Sequence, residues 1–313
     1  MIQSSSRDTD EYTPPPSPGE ISPPAAVSAN IHVDVAALSH QGKVRENNED
    51  HYLVTRCERS MQTLMTNLPE GLIPKRFAEV GYAMLVADGM GGQAAGEVAS
   101  RLAITTLVNL VLQTPDWIMR GGEQEAEQVM QRMADRYKVV DATVREQAQS
   151  DPALRGMGTT MTLACNLGTL LILTHIGDSR VYLQRGKECH QLTRDHTMVQ
   201  GLVELGIIKP EQASSHRLKH ALTRVIGAGE SLGDAEVQQL NLIDGDQVLL
   251  CTDGLSDMVK QEAIAGILRD SKSVKEACRL LVEAAMENGG VDNVTVVLAR
   301  YHLPKDLSVS SGA

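Results

Sequence analysis

Four aspartates stand at the ends of apolar segments that are typical of buried strands. They are Asp88 after YAMLVA, Asp178 after LLILTHIG, Asp253 after VLLCT and Asp292 before NVTVV. A carboxylate at a buried strand end costs free energy unless an opposite charge compensates it. A divalent cation is one such compensation, and hard oxygen ligands favour Mg²⁺ or Mn²⁺ over zinc. Glu49 and Asp50 also lead into a probable strand, so these six acids are candidates for one shared metal site.

The alternative is that the Asp-Gly pairs are turns, since Asp-Gly is a common hairpin signature. Asp244-Gly245-Asp246 lies between LNLI and QVLLC, and we predict a structural hairpin turn there. Asp88-Gly89 and Asp253-Gly254 differ, because helical patterns follow both pairs. Such a strand-to-helix junction would place a carboxylate at the rim of a sheet. By chemistry alone, a metal site and separate turns or caps both stay open.

Other catalytic chemistries lack their motifs in this sequence. The Cys-x5-Arg phosphate loop is absent, and the nearest approach, Cys189 to Arg194, is one residue too short. The G-x-x-x-x-G-K-[ST] loop, the H-E-x-x-H helix and the G-x-S-x-G elbow are absent. The nine histidines show no ligand spacing. Covalent catalysis and zinc chemistry are therefore less favoured than carboxylate-held metals that activate water.

Composition narrows the class of protein. The 313 residues include 40 acidic and 29 basic side chains, a net charge of −11, which argues against a nucleic-acid binder. The sequence contains no run of 18 apolar residues that would predict a membrane span, and its first residues do not resemble a signal peptide. Five cysteines without a C-x-x-C pair indicate reduced thiols, so we expect a cytoplasmic protein. We also expect a monomer without nucleic-acid or membrane partners.

The chain divides into a tail and one folded domain. Residues 1–30 hold six of the twelve prolines and few large apolar side chains, so we predict a disordered tail. Pro15 and Pro18 form a P-x-x-P pattern that a partner could bind, although a solvated tail is the simpler interpretation. We place the folded domain at 31–302 and a short C-terminal tail at 303–313.

Hydrophobic patterning predicts the fold class. Short apolar strands come in hairpin-like groups, and longer helical patterns separate the groups. The helix predicted over 94–113 repeats its apolar residues every three and four positions, which marks one buried face. This order favours an α+β fold, with two sheets sandwiched by helices, over a doubly wound parallel sheet.

Eight motifs in series resemble those of a known family. They are VRENNED (44–50), VADGMGG (86–92), GMGTTMT (156–162), THIGDSRVYL (174–183), LTRDHT (192–197), LTRVIG (222–227), LLCTDGLSD (249–257) and VDNVTVVLAR (291–300). The series resembles the metal-dependent serine/threonine protein phosphatases of the PPM type, also called type 2C, in a bacterial-like form. The resemblance covers about residues 31–302 and implies a four-layer α/β/β/α sandwich of two antiparallel sheets.

The resemblance also implies roles for individual residues. Two Mn²⁺ or Mg²⁺ ions, or three, are held by residues matching Glu49, Asp88, the Gly89 carbonyl, Asp178, Asp253 and Asp292. Asp88 would bridge two metals, Asp50 would support the ligands from behind, and Arg45 would grip the substrate phosphate. The implied reaction is hydrolysis of phosphoserine or phosphothreonine by a metal-activated water, without a covalent intermediate. The implied partners are phosphorylated proteins, in opposition to a serine/threonine kinase.

Two departures limit this resemblance. Met90 occupies the position of a histidine that is proposed as the proton donor in animal members. Residues 198–230 match a variable flap, in which no ligand for a third metal can be assigned.

Residues 56–80 form a lengthened connection, which we expect to be a surface loop.

Two alternative functions are open at this stage. The first is a non-catalytic binding protein on the same scaffold, although such proteins usually lose metal ligands and Glu49, Asp88, Asp253 and Asp292 are all present. The second is a phosphatase of a small phosphorylated metabolite, because the site chemistry is indifferent to what carries the phosphate.

Overall fold

Two antiparallel sheets form the centre of the computed structural model. It describes residues 31–91, 95–113, 123–213, 215–228 and 234–304, with side chains of the second helix from residue 127. The strands are β1 (His32–His40), β2 (Asp50–Gln62), β3 (Arg76–Met90), β4 (Gly158–Thr159), β5 (Met161–Leu167), β6 (Leu170–Ile176), β7 (Arg180–Arg185), β8 (Glu188–Gln191), β9 (Glu236–Asn241), β10 (Gln247–Cys251) and β11 (Val294–His302). The helices are α1 (Ala95–Gln113), α2 (Glu123–Ser150), α3 (Met198–Glu204), α4 (Pro210–Ala213), α5 (Asp253–Ser256), α6 (Gln261–Asp270) and α7 (Val274–Glu287).

The strand order separates the two sheets. One has five strands in the order β1-β11-β10-β7-β8, and the other has six, with β2-β3-β5-β6-β9 in order and β4 paired with β3. Neighbouring strands pair antiparallel throughout both ladders. Among the described strands the chain therefore crosses from one sheet to the other four times, between β1 and β2, β6 and β7, β8 and β9, and β9 and β10.

Three apolar clusters hold four layers together. One cluster fills the space between the sheets, a second joins the six-stranded sheet to α1 and α2, and a third joins the five-stranded sheet to α5, α6 and α7. The layers therefore run helix, sheet, sheet, helix. This arrangement confirms the predicted α+β sandwich.

Strand β3 shows why its sequence is apolar at consecutive positions. Met84 and Val86 belong to the cluster between the sheets, whereas Leu85 and Ala87 pack in the cluster that contains α1 and α2. Because both faces of this strand are covered, successive side chains are buried in different layers. The strand end at Asp88 is thereby held on both sides.

Two expectations about connections were wrong. Residues 56–80 do not form one surface loop, because β2 continues to Gln62 and β3 begins at Arg76 in a long cross-strand ladder. The turn over 244–246 does not close a hairpin, because β9 pairs with β6 while β10 pairs with β7 and β11. The turn is structural, as predicted, but it carries the chain between sheets.

The turn over 244–246 has clear stabilising contacts. Gly245 has φ of +85°, a left-handed conformation that favours glycine. Asp246 is buried and accepts hydrogen bonds from Arg185 at 2.9 and 2.7 Å. Asp244 accepts one from the backbone N–H of Leu303 at 2.9 Å, and Leu303 is itself buried. The described chain thus continues past β11 to residue 304, while 305–313 and the predicted tail over 1–30 lie outside the described residues.

Helix α1 lies directly against the six-stranded sheet. By length and composition it is the one described helix that could cross a membrane. Its residues Ala99, Ala103 and Leu107 are buried in the cluster with β3 and α2. A buried helix of a sheet sandwich passes the same test, so this feature is weak evidence for a membrane span.

Candidate metal centre

Most of the residues that the sequence predicts to bind metal or substrate line one cavity of about 610 Å³. It lies at the edge of the sandwich where β3 and β10 end and where β11 begins. Seven of the predicted site residues line it: Arg45, Glu49, Asp88, Gly89, Asp178, Asp253 and Asp292. Asp50, predicted to support the ligands from behind, is buried at the start of β2.

Asp88 is anchored through its backbone at the end of β3. Its N–H donates to the Thr160 hydroxyl at 3.0 Å, and its carbonyl accepts from the Thr160 N–H at 2.8 Å and the Thr159 hydroxyl at 2.8 Å. Desolvation and the charge of Asp50 raise the pKa of Asp88 well above its usual range, with Asp253, Asp178 and Asp292 adding to the effect. The carboxylate is therefore held among other acids with its backbone already satisfied.

Glycines after the two site aspartates permit close backbone contact. A Cβ on Gly89 would lie 2.1 Å from the Gly96 carbonyl oxygen, and one on Gly254 would lie 2.0 Å from the Asn293 carbonyl oxygen. Gly89 lies within β3 and Gly254 within α5. These Asp-Gly pairs are therefore not hairpin turns, and the glycines are required by packing.

The loop between β1 and β2 supplies Arg45 and Glu49. An Arg45 nitrogen, Nη2, lies 2.5 Å from Asp292 Oδ2, and this hydrogen bond raises the pKa of the guanidinium. The Glu49 carboxylate lies against Gly96 in α1, where a Cβ would be 2.6 Å from Oε2. Burial raises the pKa of Glu49. The loop thus brings one cation and one carboxylate to the cavity wall.

Asp50 lies beneath the cavity. Its Oδ2 accepts a hydrogen bond from the Thr252 hydroxyl at 2.8 Å. Its Oδ1 is buried without a hydrogen-bond partner among the described residues. Burial raises the pKa of Asp50 to about 7. Asp50 is buried and is not among the residues that line the cavity, and its role in supporting the ligands stays a prediction.

Asp178 lies on the crossing between β6 and β7. Gly177 before it has φ of +113°, and a Cβ there would lie 2.5 Å from the Thr160 side chain. Ser179 after it bonds to the Thr160 hydroxyl at 2.9 Å. Burial raises the pKa of Asp178 well above its usual range, and the charge of Asp253 raises it further. Thr160 therefore links the turn of Asp178 to the strand end of Asp88.

The flap contributes residues that the sequence pattern does not reveal. Lys219, His220 and Leu222 line the cavity from the side of the flap. Lys219 Nζ lies 2.8 Å from Asp257 Oδ2, and the His220 ring nitrogens lie 3.5 Å from Asp253 Oδ2 and 3.4 Å from Asp257 Oδ2. The hydrogen bond with Asp253 raises the pKa of His220.

Different signals could have found these residues. Asp257 follows Asp253 by four positions, a spacing that places both on one side of a helical turn. His220 shares no motif with either acid, because its proximity depends on how the flap folds. Each of the three offers a possible ligand atom, and these atoms lie within 4.8 Å of one another. Met90 also lines the cavity and carries no transferable proton at that position.

The donor set fits divalent cations. Desolvation raises the pKa of Glu49, Asp50, Asp88 and Asp178, and neighbouring acids raise each of them further. Such a cluster is costly as free anions and becomes favourable around a cation. Oxygen donors of this kind are preferred by Mg²⁺ and Mn²⁺. The cavity therefore has the chemistry of a carboxylate-lined metal centre.

Comparison with known proteins identifies relatives with this arrangement. The family model "Protein phosphatase 2C" matches residues 76–289. The serine/threonine protein phosphatase PstP of Mycobacterium tuberculosis is 37% identical over 265 residues, which cover 84% of this chain and 44% of PstP. The protein phosphatase PhpP of Streptococcus pneumoniae is 31% identical over 276 residues, which cover 85% of this chain and 96% of PhpP. The chain thus spans less than half of the mycobacterial relative.

Solved structures agree with these sequence matches. The crystal structure of the M. tuberculosis phosphatase PstP/Ppp aligns with a TM-score of 0.68 at 36% identity, over 86% of this chain and 98% of that one. A second structure, the PstP catalytic domain in complex with 2 manganese ions, aligns with a TM-score of 0.67 at 35% identity, over 87% and 99%. The two-sheet sandwich with a carboxylate-lined cavity defines a metal-dependent phosphatase fold. The chain belongs to the protein phosphatase 2C family, as its motifs predict.

Proposed function

We propose that this chain is a protein phosphatase that hydrolyses phosphoserine and phosphothreonine with Mn²⁺ or Mg²⁺ as cofactor. The observation that carries the proposal is the meeting of Arg45 and the five predicted acids in one cavity. The acids are Glu49, Asp88, Asp178, Asp253 and Asp292. The names of the relatives, which are serine/threonine phosphatases, support the same substrate class. A non-catalytic relative would be expected to lack some of the metal-binding acids. All four of these acids are present and line the same cavity, namely Glu49, Asp88, Asp253 and Asp292.

Each acid has a distinct place around the proposed cations. The charges of Asp50, Asp253, Asp178 and Asp292 all act on Asp88, and Asp88 would be shared by two cations, with the Gly89 carbonyl assisting. Asp253 and Asp292 would complete one cation site, Glu49 would hold the second, and Asp178 with Asp253 would hold a third. When bound, such cations neutralise phosphoryl oxygens and lower the pKa of water.

The residues of the chain itself supply orientation. Arg45 presents a planar guanidinium at the cavity wall, a geometry that suits two oxygens of one phosphoryl group. The hydroxyls of Thr160 and Thr252 hold the Asp88 backbone and the Asp50 carboxylate in place. Since phosphoryl transfer depends on positioning and charge, this fixed arrangement is the main contribution of the protein.

The mechanism proposed here uses no covalent intermediate. All five cysteines are free thiols, and none of them lines the cavity. Burial raises the pKa of Cys165 and Cys251 to about 12, which makes them poor nucleophiles. Water is therefore the proposed nucleophile.

The proposal extends to partners and location. The substrates are phosphorylated proteins, in opposition to a serine/threonine kinase, and the enzyme acts as a monomer with no nucleic-acid or membrane partner. The free thiols support a reducing compartment such as the cytoplasm.

The test is hydrolysis of a phosphothreonine peptide, p-nitrophenyl phosphate and a sugar phosphate, with Mn²⁺ titrated against EDTA. We expect turnover of the peptide that depends on Mn²⁺ and is abolished in Asp253→Asn. Asp244→Asn is the matched control, because Asp244 lies in the structural turn and an amide oxygen can still accept the Leu303 N–H. Activity that persists under full chelation would refute the metal mechanism, and turnover of the sugar phosphate alone would refute the protein substrate.

A further inference from the structure

The loop that carries Arg45 and Glu49 has almost no regular structure of its own. Residues 41–49 connect β1 to β2 and contain no helix or strand. Backbone hydrogen bonds reach the rest of the domain from Lys43, which donates to the Gly290 carbonyl at 2.7 Å, and from Gly89, which donates to the Glu49 carbonyl at 3.3 Å. Both proposed functional side chains therefore depend on other contacts for their position.

Side chains hold this loop in place. The Ser100 hydroxyl donates to the Glu49 carbonyl at 2.6 Å, and the side chain of Asn293 makes three further contacts. Its Oδ1 accepts from the Glu49 N–H at 2.8 Å, and its Nδ2 donates to the carbonyls of Gln41 at 2.7 Å and Asn47 at 2.8 Å. The residue is 5% exposed. One buried amide thus binds the beginning and the end of the loop at the same time.

Asn293 is itself in contact with the segments that carry Asp292 and Asp253. Its N–H donates to Asp292 Oδ1 at 2.8 Å, and its carbonyl oxygen packs against Gly254 so closely that no Cβ would fit. It therefore joins the segment with Asp292 and the turn with Asp253 to the loop of Arg45 and Glu49. The loop lies more than 200 residues before both of the other segments in the chain.

We propose that Asn293 is a positioning residue that sets the place of Arg45 and Glu49 relative to Asp253 and Asp292. The inference rests on the proposed function, since the roles of those four residues come from it. Asn293 itself does not act on the substrate, although it borders the cavity. Its effect on the reaction passes through the loop.

The chemistry of the site requires an amide. The groups facing the side chain are one N–H and two carbonyl oxygens, so one acceptor and two donors are needed. An aspartate of the same shape would accept from Glu49 but would place its second oxygen against two carbonyls. A leucine would leave all three backbone groups without a partner.

The test compares Asn293→Asp and Asn293→Leu with wild type by two measurements. Hydrogen exchange of peptides covering 41–50 is followed in the metal-free protein at low temperature, and kcat and KM are measured with Mn²⁺ and a phosphothreonine peptide. We expect exchange of the Glu49 amide to be about tenfold faster in both variants, because its acceptor is lost or the loop opens locally. We expect kcat/KM to fall about 100-fold, because small misplacements of oriented groups have large kinetic effects.

The separate changes in kcat and KM distinguish a displaced loop from a loss of stability. A displaced Arg45 raises KM, and a displaced Glu49 lowers kcat, so both constants are expected to change. Asn166→Asp is the matched control, since Asn166 is 1% exposed and its side chain bonds to the Tyr82 N–H and the Gly168 carbonyl in the six-stranded sheet. This control is expected to lower the melting temperature without altering loop exchange or kinetics.

The outcomes separate the two proposals. Wild-type exchange over 41–50 with unchanged kcat/KM in both Asn293 variants would overturn the positioning role. The positioning role would also be overturned if Asn166→Asp changed loop exchange and kinetics as much as the two Asn293 variants do. A wild-type chain inactive on every phosphorylated substrate would refute the proposed function, while the exchange measurement would still decide whether Asn293 holds the loop.

Discussion

Asp50 and Asp88 lie directly opposite each other in the antiparallel ladder between β2 and β3. Like charges at such a cross-strand position destabilise a sheet. The pKa of both acids is raised by desolvation, and the charge of Asp50 is the next cause for Asp88. A proton or a cation nearby would therefore stabilise the pair. Stability and cofactor binding are linked through this contact.

Adding Mn²⁺ is expected to raise the melting temperature. A ligand that binds only the folded state stabilises it, by about 2.7 kcal/mol at a concentration 100 times Kd. Differential scanning fluorimetry of metal-free protein across a Mn²⁺ titration measures the shift. Asp88→Asn should melt higher than metal-free wild type and respond little to Mn²⁺, because the amide removes the repulsion and a shared ligand together. A full Mn²⁺ response in this variant would contradict the placement of Asp88 among the ligands.

Without metal, the stability of the domain is expected to fall as the pH rises from about 4 to about 7. The pKa of Asp50 is about 7 in the folded protein and near its usual 3.8 in the unfolded chain. The folded state therefore binds more protons in this window, so the free energy of unfolding decreases with pH. Urea unfolding in metal-free buffer at pH 5.0 and pH 7.5 measures the change, expected to be on the order of 2 kcal/mol for this group.

Asp50→Asn provides the reference for that measurement. Other groups have the opposite dependence, since the pKa of Asp34 is lowered by its hydrogen bond with His302 and that of Glu236 by its hydrogen bond with His196. The difference between wild type and Asp50→Asn cancels these contributions and reports Asp50 together with its electrostatic effect on Asp88. If the two proteins have parallel pH profiles, Asp50 is not the group responsible.

Arg45 is expected to affect substrate binding more than the fold. Its side chain is 53% exposed and pairs with Asp292 at the cavity wall, so truncation leaves the core unchanged. We expect Arg45→Ala to lower kcat/KM for a phosphothreonine peptide by about 100-fold, and Arg45→Lys by about tenfold, because lysine cannot make a bidentate contact. Steady-state kinetics with saturating Mn²⁺ measures both. Arg56→Lys is a matched control at an exposed arginine paired with Glu58, and equal losses at both positions would contradict a specific role for Arg45.

Strand ends were the most predictable part of the site. Asp88, Asp178, Asp253 and Asp292 each adjoin an apolar run, and runs of that kind become buried strands whose ends meet at one edge of the sandwich. Glu49 was a candidate for a similar reason, because it leads into the strand that became β2. The resemblance to a phosphatase family then supplied Arg45, which lies in a loop without a periodic pattern. Local sequence therefore located the acids, and the motif order located Arg45.

Contacts between distant segments were not predictable. Asn293 is adjacent to a predicted ligand, yet its role depends on carbonyls of a loop more than 200 residues away. His220 reaches Asp253 only through the folded flap. The expected hairpin over 244–246 failed for a related reason, because a turn signal does not show whether its two strands share a sheet. Tertiary packing decides such cases.

The glycines of the three Asp-Gly pairs lie in different surroundings, and this difference gives a further prediction. Gly89 and Gly254 leave no space for a methyl group, whereas Gly245 faces open space and has φ of +85°. We expect Gly89→Ala to lose activity and about 1–3 kcal/mol of stability, because the added carbon meets the Gly96 carbonyl. Gly245→Ala is expected to cost about 1–2 kcal/mol through its left-handed backbone while keeping the kcat/KM of the wild type. Melting curves and peptide kinetics at a temperature where both variants are folded distinguish the two. Equal loss of activity in both folded variants would contradict a specific effect of Gly89 on the cavity, and an active Gly89→Ala would show that Gly89 need not be a glycine for the cavity to form.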